Sequence, residues 1–173
     1  MSLSLIVETP APRESFEYIV EEGSSKGSQN FFIKGPYMMA EGVNRNKRIY
    51  PLNEMEKEVK RYQELMVETG RAMGELNHPS TADVDVERAC HLVTEMSQDG
   101  NVFYGKSKVL STPTGLIVRS LINDGVRVGM SSRALGQLIP ESGQDGISRV
   151  QDFKLVAIDC VADPSFPKAF VNG

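Results

Sequence analysis

Apolar residues recur at helical spacing in only two stretches of this chain, and elsewhere they fall in short strand-like runs broken by glycine, proline and turn-forming residues. In the first stretch Met55, Val59, Tyr62 and Met66 share one face while Glu and Lys fill the other, which predicts an amphipathic helix ending near Gly70. In the second, Leu116, Val118, Leu121 and Ile122 follow Thr112-Pro113-Thr114-Gly115, and Gly125 stops the helix. Residues 31–43, FFIKGPYMMAEGV, read as a strand bent at Gly35-Pro36. CHLVTEMS and VFYGKSKVLS flank Gln98-Asp99-Gly100-Asn101 and predict a β-hairpin, preceded by a short turn that Asp85 caps. VRVGMSSRALGQLI and residues 148–161 give two more strands. Strands and helices do not alternate as βαβ units require, so the expected fold class is α+β, a mostly antiparallel, barrel-like sheet flanked by a few helices.

At 173 residues and 40% hydrophobic content, the chain can bury one core. Pro10, Pro12 and the run Gly23-Ser24-Ser25-Lys26-Gly27-Ser28 mark residues 1–30 as a flexible segment with one first strand, leaving 31–173 as a single domain. A net charge of -4 and a pI near 5.3 give no electrostatic reason to bind nucleic acid or an anionic membrane. Apolar runs such as Leu155-Val156-Ala157-Ile158 are far shorter than the roughly 20 residues that cross a bilayer, and no secretory signal pattern is visible. Cys90 and Cys160 lack CxxC spacing and are expected to be buried free thiols. No phosphate-binding glycine loop occurs. His78, Asp83 and Asp85 are conceivable metal ligands, but there is no HExxH and no paired Cys/His spacing, so neither a metal nor a cofactor is expected.

Chemistry concentrates in two places. His91 sits inside the apolar run Cys90-His91-Leu92-Val93, where a strand histidine usually serves packing. His78 instead follows Gly74-Glu75-Leu76-Asn77 and precedes Pro79, a polar loop of restricted backbone that can hold an imidazole in one orientation for general-base work. Gly129-Met130-Ser131-Ser132-Arg133 sets two hydroxyls and a guanidinium beside a glycine where a substrate strand can approach. Ser131 could attack a carbonyl if a base takes its proton, with Arg133, Ser132 and Gly129 at the substrate or its oxyanion. Asp159 lies among apolar neighbours and requires a partner, which a histidine N–H, an arginine or a backbone donor could each provide. Asp163, beside Pro164, competes for the same role. A Cys-His hydrolase using Cys160 is a third reading, disfavoured because an apolar strand opposes thiolate formation.

Three blocks in this order, VNRNKRIYP at residues 43–51, GELNHP at 74–79 and GMSSRALG at 129–136, together with the ending DPSFPKAFV, resemble the prohead core proteases of T-even-type phages over residues 31–171. The resemblance implies a serine endopeptidase with His78 and Ser131 as the catalytic pair and a herpesvirus-protease-like fold. More distant relatives draw a third member from a later strand, which here points to Asp159. It also implies cleavage after glutamate within hydrophobic-x-Glu sequences of scaffold core proteins and the major capsid protein, in the host cytoplasm inside the assembling prohead. Arg45, Lys47 and Arg48 are then candidates to read the glutamate. Self-cleavage would have candidate sites at Met39-Ala40-Glu41 and Ile19-Val20-Glu21. A homo-oligomer is compatible with such a role. The competing reading is a non-enzymatic capsid or tail-tube-like structural protein of the same fold.

Overall fold

The computed structural model describes residues 3–8, 16–23, 27–44 and 46–162. Among the described residues, two sheets and two α-helices make up the fold. One sheet has the order β1-β8-β9-β4, from strands β1 (Ser4–Val7), β4 (Arg48–Ile49), β8 (Val128–Pro140) and β9 (Ser148–Ala162). The other has the order β2-β3-β7-β6-β5, from β2 (Glu17–Glu22), β3 (Gln29–Met39), β5 (Met73–Glu75), β6 (Ala89–Asp99) and β7 (Val102–Val109). All pairings are antiparallel except that of β4 with β9.

The expected α+β class and the antiparallel bias hold, but the strands form two sheets and no closed barrel. At one seam, Leu76 makes a single parallel bridge to Cys160. At the other, the Tyr18 hydroxyl takes the Val128 N–H at 2.8 Å and donates to the Val128 carbonyl at 2.6 Å. Full closure needs a continuous hydrogen-bond ladder between edge strands. Here β5 has only three residues, and Asn77, at φ +67°, turns the chain away.

Local chemistry explains most boundaries. Helix α1 (Leu52–Tyr62) buries Met55, Val59 and Tyr62, and it continues into a π-helical turn, Gln63–Val67, before Gly70 at φ +71°. Glu58, also on the buried face, holds the Leu155 N–H and is paired with Arg61. Helix α2 (Pro113–Asn123) starts with the Thr112 hydroxyl accepting the Gly115 N–H at 3.2 Å, and Gly125 follows its end at φ +92°. The hairpin of β6 and β7 turns at Gly100, φ +61°, as anticipated, and β3 is irregular between Pro36 and Met38. Residues 1–30 contribute two strands, β1 and β2, where one was expected.

The core draws on both sheets and α1, including Ile6, Ile33, Tyr62, Phe103, Met130 and Ile158. Within it, His91 is fully buried on β6 and donates from Nε2 to the Ile158 carbonyl at 2.6 Å. Burial pushes its pKa down to about 4. Between pH 6.5 and 4 the unfolded chain therefore takes up a proton that the folded chain refuses, and stability falls as pH drops through that window. His91→Gln, which keeps a donor for Ile158 and removes the titration, is expected to flatten this limb, as read by urea unfolding at pH 6.5 and pH 5.

Candidate active site

GELNHP brings His78 to the site one residue at a time. A Cβ on Gly74 would lie 1.7 Å from the Ile158 carbonyl oxygen, so only glycine lets β5 approach β9 this closely. The approach sets the Glu75 N–H on Asp159 Oδ1 at 2.9 Å. Leu76 bridges to Cys160, the Asn77 N–H donates to the Cys160 carbonyl at 2.7 Å, and the left-handed turn at Asn77 delivers His78 beside β9. His78 Nδ1 meets Asp159 Oδ2 at 2.7 Å. Ser131 and Asp159 are cross-strand partners on β8 and β9 and share a sheet face. The hydroxyl, imidazole and carboxylate singled out in the sequence are thus brought together by three strands.

Beneath them lies a buried ionic cluster. Arg133 is fully buried and spends all five N–H groups: Nε and Nη2 on Asp159, Nη2 also on Glu75, and Nη1 on the carbonyls of Thr81 and Asp83. Its expected place at an oxyanion is therefore taken up by another task, holding Asp159 and Glu75. Arg88 closes the other side of Glu75 at 3.1 Å. Burial alone would push the Asp159 carboxyl up, but the hydrogen bonds from His78, Arg133 and the Glu75 N–H outweigh it and hold the group below its ordinary 3.8.

VNRNKRIYP builds a second pocket, and it is filled by the chain's own Glu8. Asn44 Nδ2 and Asn46 Nδ2 donate to Glu8 Oε1 at 2.9 and 2.7 Å, while Arg48 Nη1 and the Tyr50 hydroxyl donate to Oε2 at 2.7 and 2.6 Å. Asn44 Oδ1 shapes the loop by accepting the N–H groups of Asn46 and Arg48. Burial, and then the adjacent Glu8 carboxylate, push the Tyr50 hydroxyl well above 10, so it stays a donor. Of the three cations expected to read a glutamate, Arg48 reaches one. Lys47 holds the turn at φ +59° and is not among the groups on that carboxylate, and Arg45 lies outside the described residues.

The Glu8 carbonyl oxygen accepts from the Ser131 hydroxyl and faces His78 Nε2 at 3.0 Å. The Glu8 N–H donates to the Ser132 carbonyl at 3.1 Å, so Ser132 offers backbone to this strand. Gly129 lies in the β8 ladder opposite Val161. Charge guided the choice of Arg45, Lys47 and Arg48, and it passed over the neutral donors Asn44, Asn46 and Tyr50 of the same block. Glu8 was missed altogether, although Ile6-Val7-Glu8 has the hydrophobic-x-Glu pattern that could have flagged it.

Asp163 lies outside the described residues. Cys160 is fully buried, and its hydrogen bond with Cys90, with burial next, pushes the thiol far from the thiolate range. Among the described residues, no group of three or more His, Cys, Asp or Glu side chains is arranged to hold a metal ion, and no helix is long and apolar enough to cross a membrane.

A peptide backbone laid along β8, with its carbonyl at a serine and a histidine backed by a buried carboxylate, is the layout of a protease. Residues 11–173 match the family described as prohead core protein serine protease, and the chain belongs to that family. It is 42% identical to the prohead core protein protease of enterobacteria phage T4 over 145 residues, 82% of this chain and 68% of that protein. The structure of the bacteriophage T4 capsid assembly protease gp21 superposes with a TM-score of 0.82 at 34% identity, covering 93% of this chain and 99% of that one. The chain is thus a capsid assembly protease, and the non-enzymatic capsid or tail-tube reading falls.

The ionic cluster carries a prediction of its own. Arg133→Met would leave Glu75 with Arg88 as its one remaining ion pair and Asp159 with His78 and the Glu75 N–H, and removing one partner of a buried ion pair costs about 3–5 kcal/mol. A urea midpoint at pH 7 close to that of the wild type would show that the cluster does not hold the fold.

Proposed function

We propose that this protein is a serine endopeptidase that cleaves after glutamate, with Ser131 as nucleophile, His78 as general base and Asp159 orienting the imidazole. The observation that carries the reading is the convergence of Ser131 Oγ and His78 Nε2 on one carbonyl oxygen, that of a glutamate whose side chain is gripped by Asn44, Asn46, Arg48 and Tyr50. In turnover, His78 Nε2 takes the Ser131 proton as the oxygen attacks the carbonyl carbon, then returns it to the leaving amine, and water releases the acyl group by the same route. Asp159 keeps Nδ1–H pointed at itself and Nε2 at the substrate.

The side chains of residues 6–8 suggest why sequence would be read as hydrophobic-x-Glu. Ile6 is 1% exposed and Val7 36% exposed, so the third position before the cut is enclosed and the second is open. A Cβ on Gly136 would sit 3.0 Å from Ile6 Cδ1, so the last glycine of GMSSRALG makes room for that aliphatic side chain.

By analogy with the T4 capsid assembly protease, the substrates are scaffold core proteins and the major capsid protein, met inside the assembling prohead in the host cytoplasm. Self-cleavage at Ile19-Val20-Glu21 or Met39-Ala40-Glu41 is disfavoured, because the first lies in the β2–β3 ladder and the second holds Ala40, 1% exposed, in the core.

The test is hydrolysis of an excess of a peptide containing Leu-Ala-Glu-Ala, followed by mass spectrometry. Cleavage after glutamate by wild type and its absence in a folded Ser131→Ala protein is the expected outcome. Replacing the peptide's Glu by Gln should lower kcat/KM about tenfold or more, since a hydrogen bond to a charged group is worth about 1.5–3 kcal/mol. Equal rates on both peptides would remove the pocket's proposed role.

A further inference from the structure

Two nitrogen donors converge on one oxygen behind the imidazole. Asp159 Oδ2 meets His78 Nδ1 and Arg133 Nε, each at 2.7 Å, on a carboxylate with no exposed surface. Orienting a histidine takes a single fixed acceptor and no second cation. The Arg133 charge competes with an imidazolium at His78 for that oxygen, and a like charge this close disfavours the charged form of its neighbour. Glu75 answers Arg133 from the other side. Its Oε2 accepts from Arg133 Nη2 at 3.2 Å and from the Asp85 N–H at 3.1 Å, and its Oε1 accepts from Arg88 Nε at 3.1 Å. With donors on both oxygens, two of them guanidiniums, Glu75 stands as a carboxylate. Among the described residues, two carboxylates and two guanidiniums are thus linked behind His78, and their formal charges cancel.

The other titratable groups around this set leave the balance intact. On β6, burial lowers the pKa of His91 to about 4 and keeps it neutral. On β9, the hydrogen bond with Cys90 pushes Cys160 up, and on α1 burial pushes Tyr62 up, so both keep their protons. On the loop after Pro79, Asp83 and Asp85 are exposed, and the Asp85 side chain is taken by the Glu87 N–H. In front of the ring, Nε2 meets the uncharged Glu8 carbonyl at 3.0 Å, and the Glu8 carboxylate is paired with Arg48. We propose that Arg133 and Glu75 are positioning residues for the base: Arg133 keeps Asp159 from trapping His78 as an imidazolium, Glu75 keeps Arg133 from suppressing that charge, and together they set the pH at which His78 can take the Ser131 proton. The inference rests on the peptidase reading for the identity of the base, while the charge balance itself is measured without turnover.

The experiment uses the full chain with isotope-labelled histidine and follows the imidazole resonances by NMR from about pH 5 to 9, the range in which a histidine ordinarily titrates. His91, neutral throughout, is identified by the loss of its signal in His91→Gln. Arg133→Met removes a cation, so the midpoint of the His78 titration should rise by about one unit. Glu75→Gln removes an anion, so the midpoint should fall. A merely structural role predicts something else, because loosening His78 from Asp159 takes a partner from the imidazolium and lowers the midpoint in both variants. A midpoint that fails to move in its stated direction in either folded variant overturns the inference. Arg88→Gln guards against variants that do not fold, since the Arg88 side chain is 48% exposed and pairs with Glu75 from outside. Its midpoint should rise by a smaller amount, and an unmoved one overturns the inference. Hydrolysis of the Leu-Ala-Glu-Ala peptide against pH separates the two readings. An acid limb of kcat/KM that moves with the imidazole supports both. Opposite shifts with no hydrolysis by any protein keep the charge balance and remove the peptidase, and cleavage after glutamate with unmoved midpoints does the reverse.

Discussion

The buried pairing of Arg133 with Asp159 and Glu75 is the constraint around which this molecule is arranged. A guanidinium with no exposed surface is tolerable only if each N–H is matched, and the five partners here come from three different parts of the chain: the β5 strand, the loop at Thr81 and Asp83, and β9. Matching them fixes where β5 lies against β9 and how the loop that carries His78 returns. Asp159 then has one oxygen on Arg133 and the Glu75 N–H and the other on Arg133 and His78, so the imidazole's orientation follows from the same charge balance. The placing of His78 beside Asp159 and the packing of the two sheets are in this sense one structure.

The pocket that holds Glu8 follows a different logic. A lysine cluster would attract a carboxylate from a distance, but strongly hydrated ammonium groups hold it without fixed geometry. Two amides, one guanidinium and one phenol instead present four directed donors, two to each oxygen. Among the described residues that hold this carboxylate, Arg48 alone carries a formal positive charge, so Glu8 is held by geometry as much as by charge, at the end of a loop whose shape Asn44 sets through its own side-chain bonds to the backbone.

Much of this was readable from sequence where the signal is local. Both helices, the Gly100 hairpin and the long strands β8 and β9 follow from periodicity and turn chemistry over ten or more residues. His78, Ser131 and Asp159 were marked by residue type and surroundings, and the structure brings these three together. What escaped is non-local. β1 is four residues long and pairs with a strand more than a hundred positions away, so no pattern within it announces a partner. Arg133 could be placed beside Ser131 but its burial could not, and burial is what commits its donors inward. Two sheets in place of a barrel turns on a seam narrowed to the Leu76–Cys160 bridge, which leaves no trace in hydrophobic alternation.

The position of β1 at the outside of its sheet has a consequence for solubility. Without that strand, β8 would present a row of unpaired N–H and C=O groups to the surroundings, the kind of template on which edge-to-edge aggregation begins. In this structure the chain seals that edge with its own backbone.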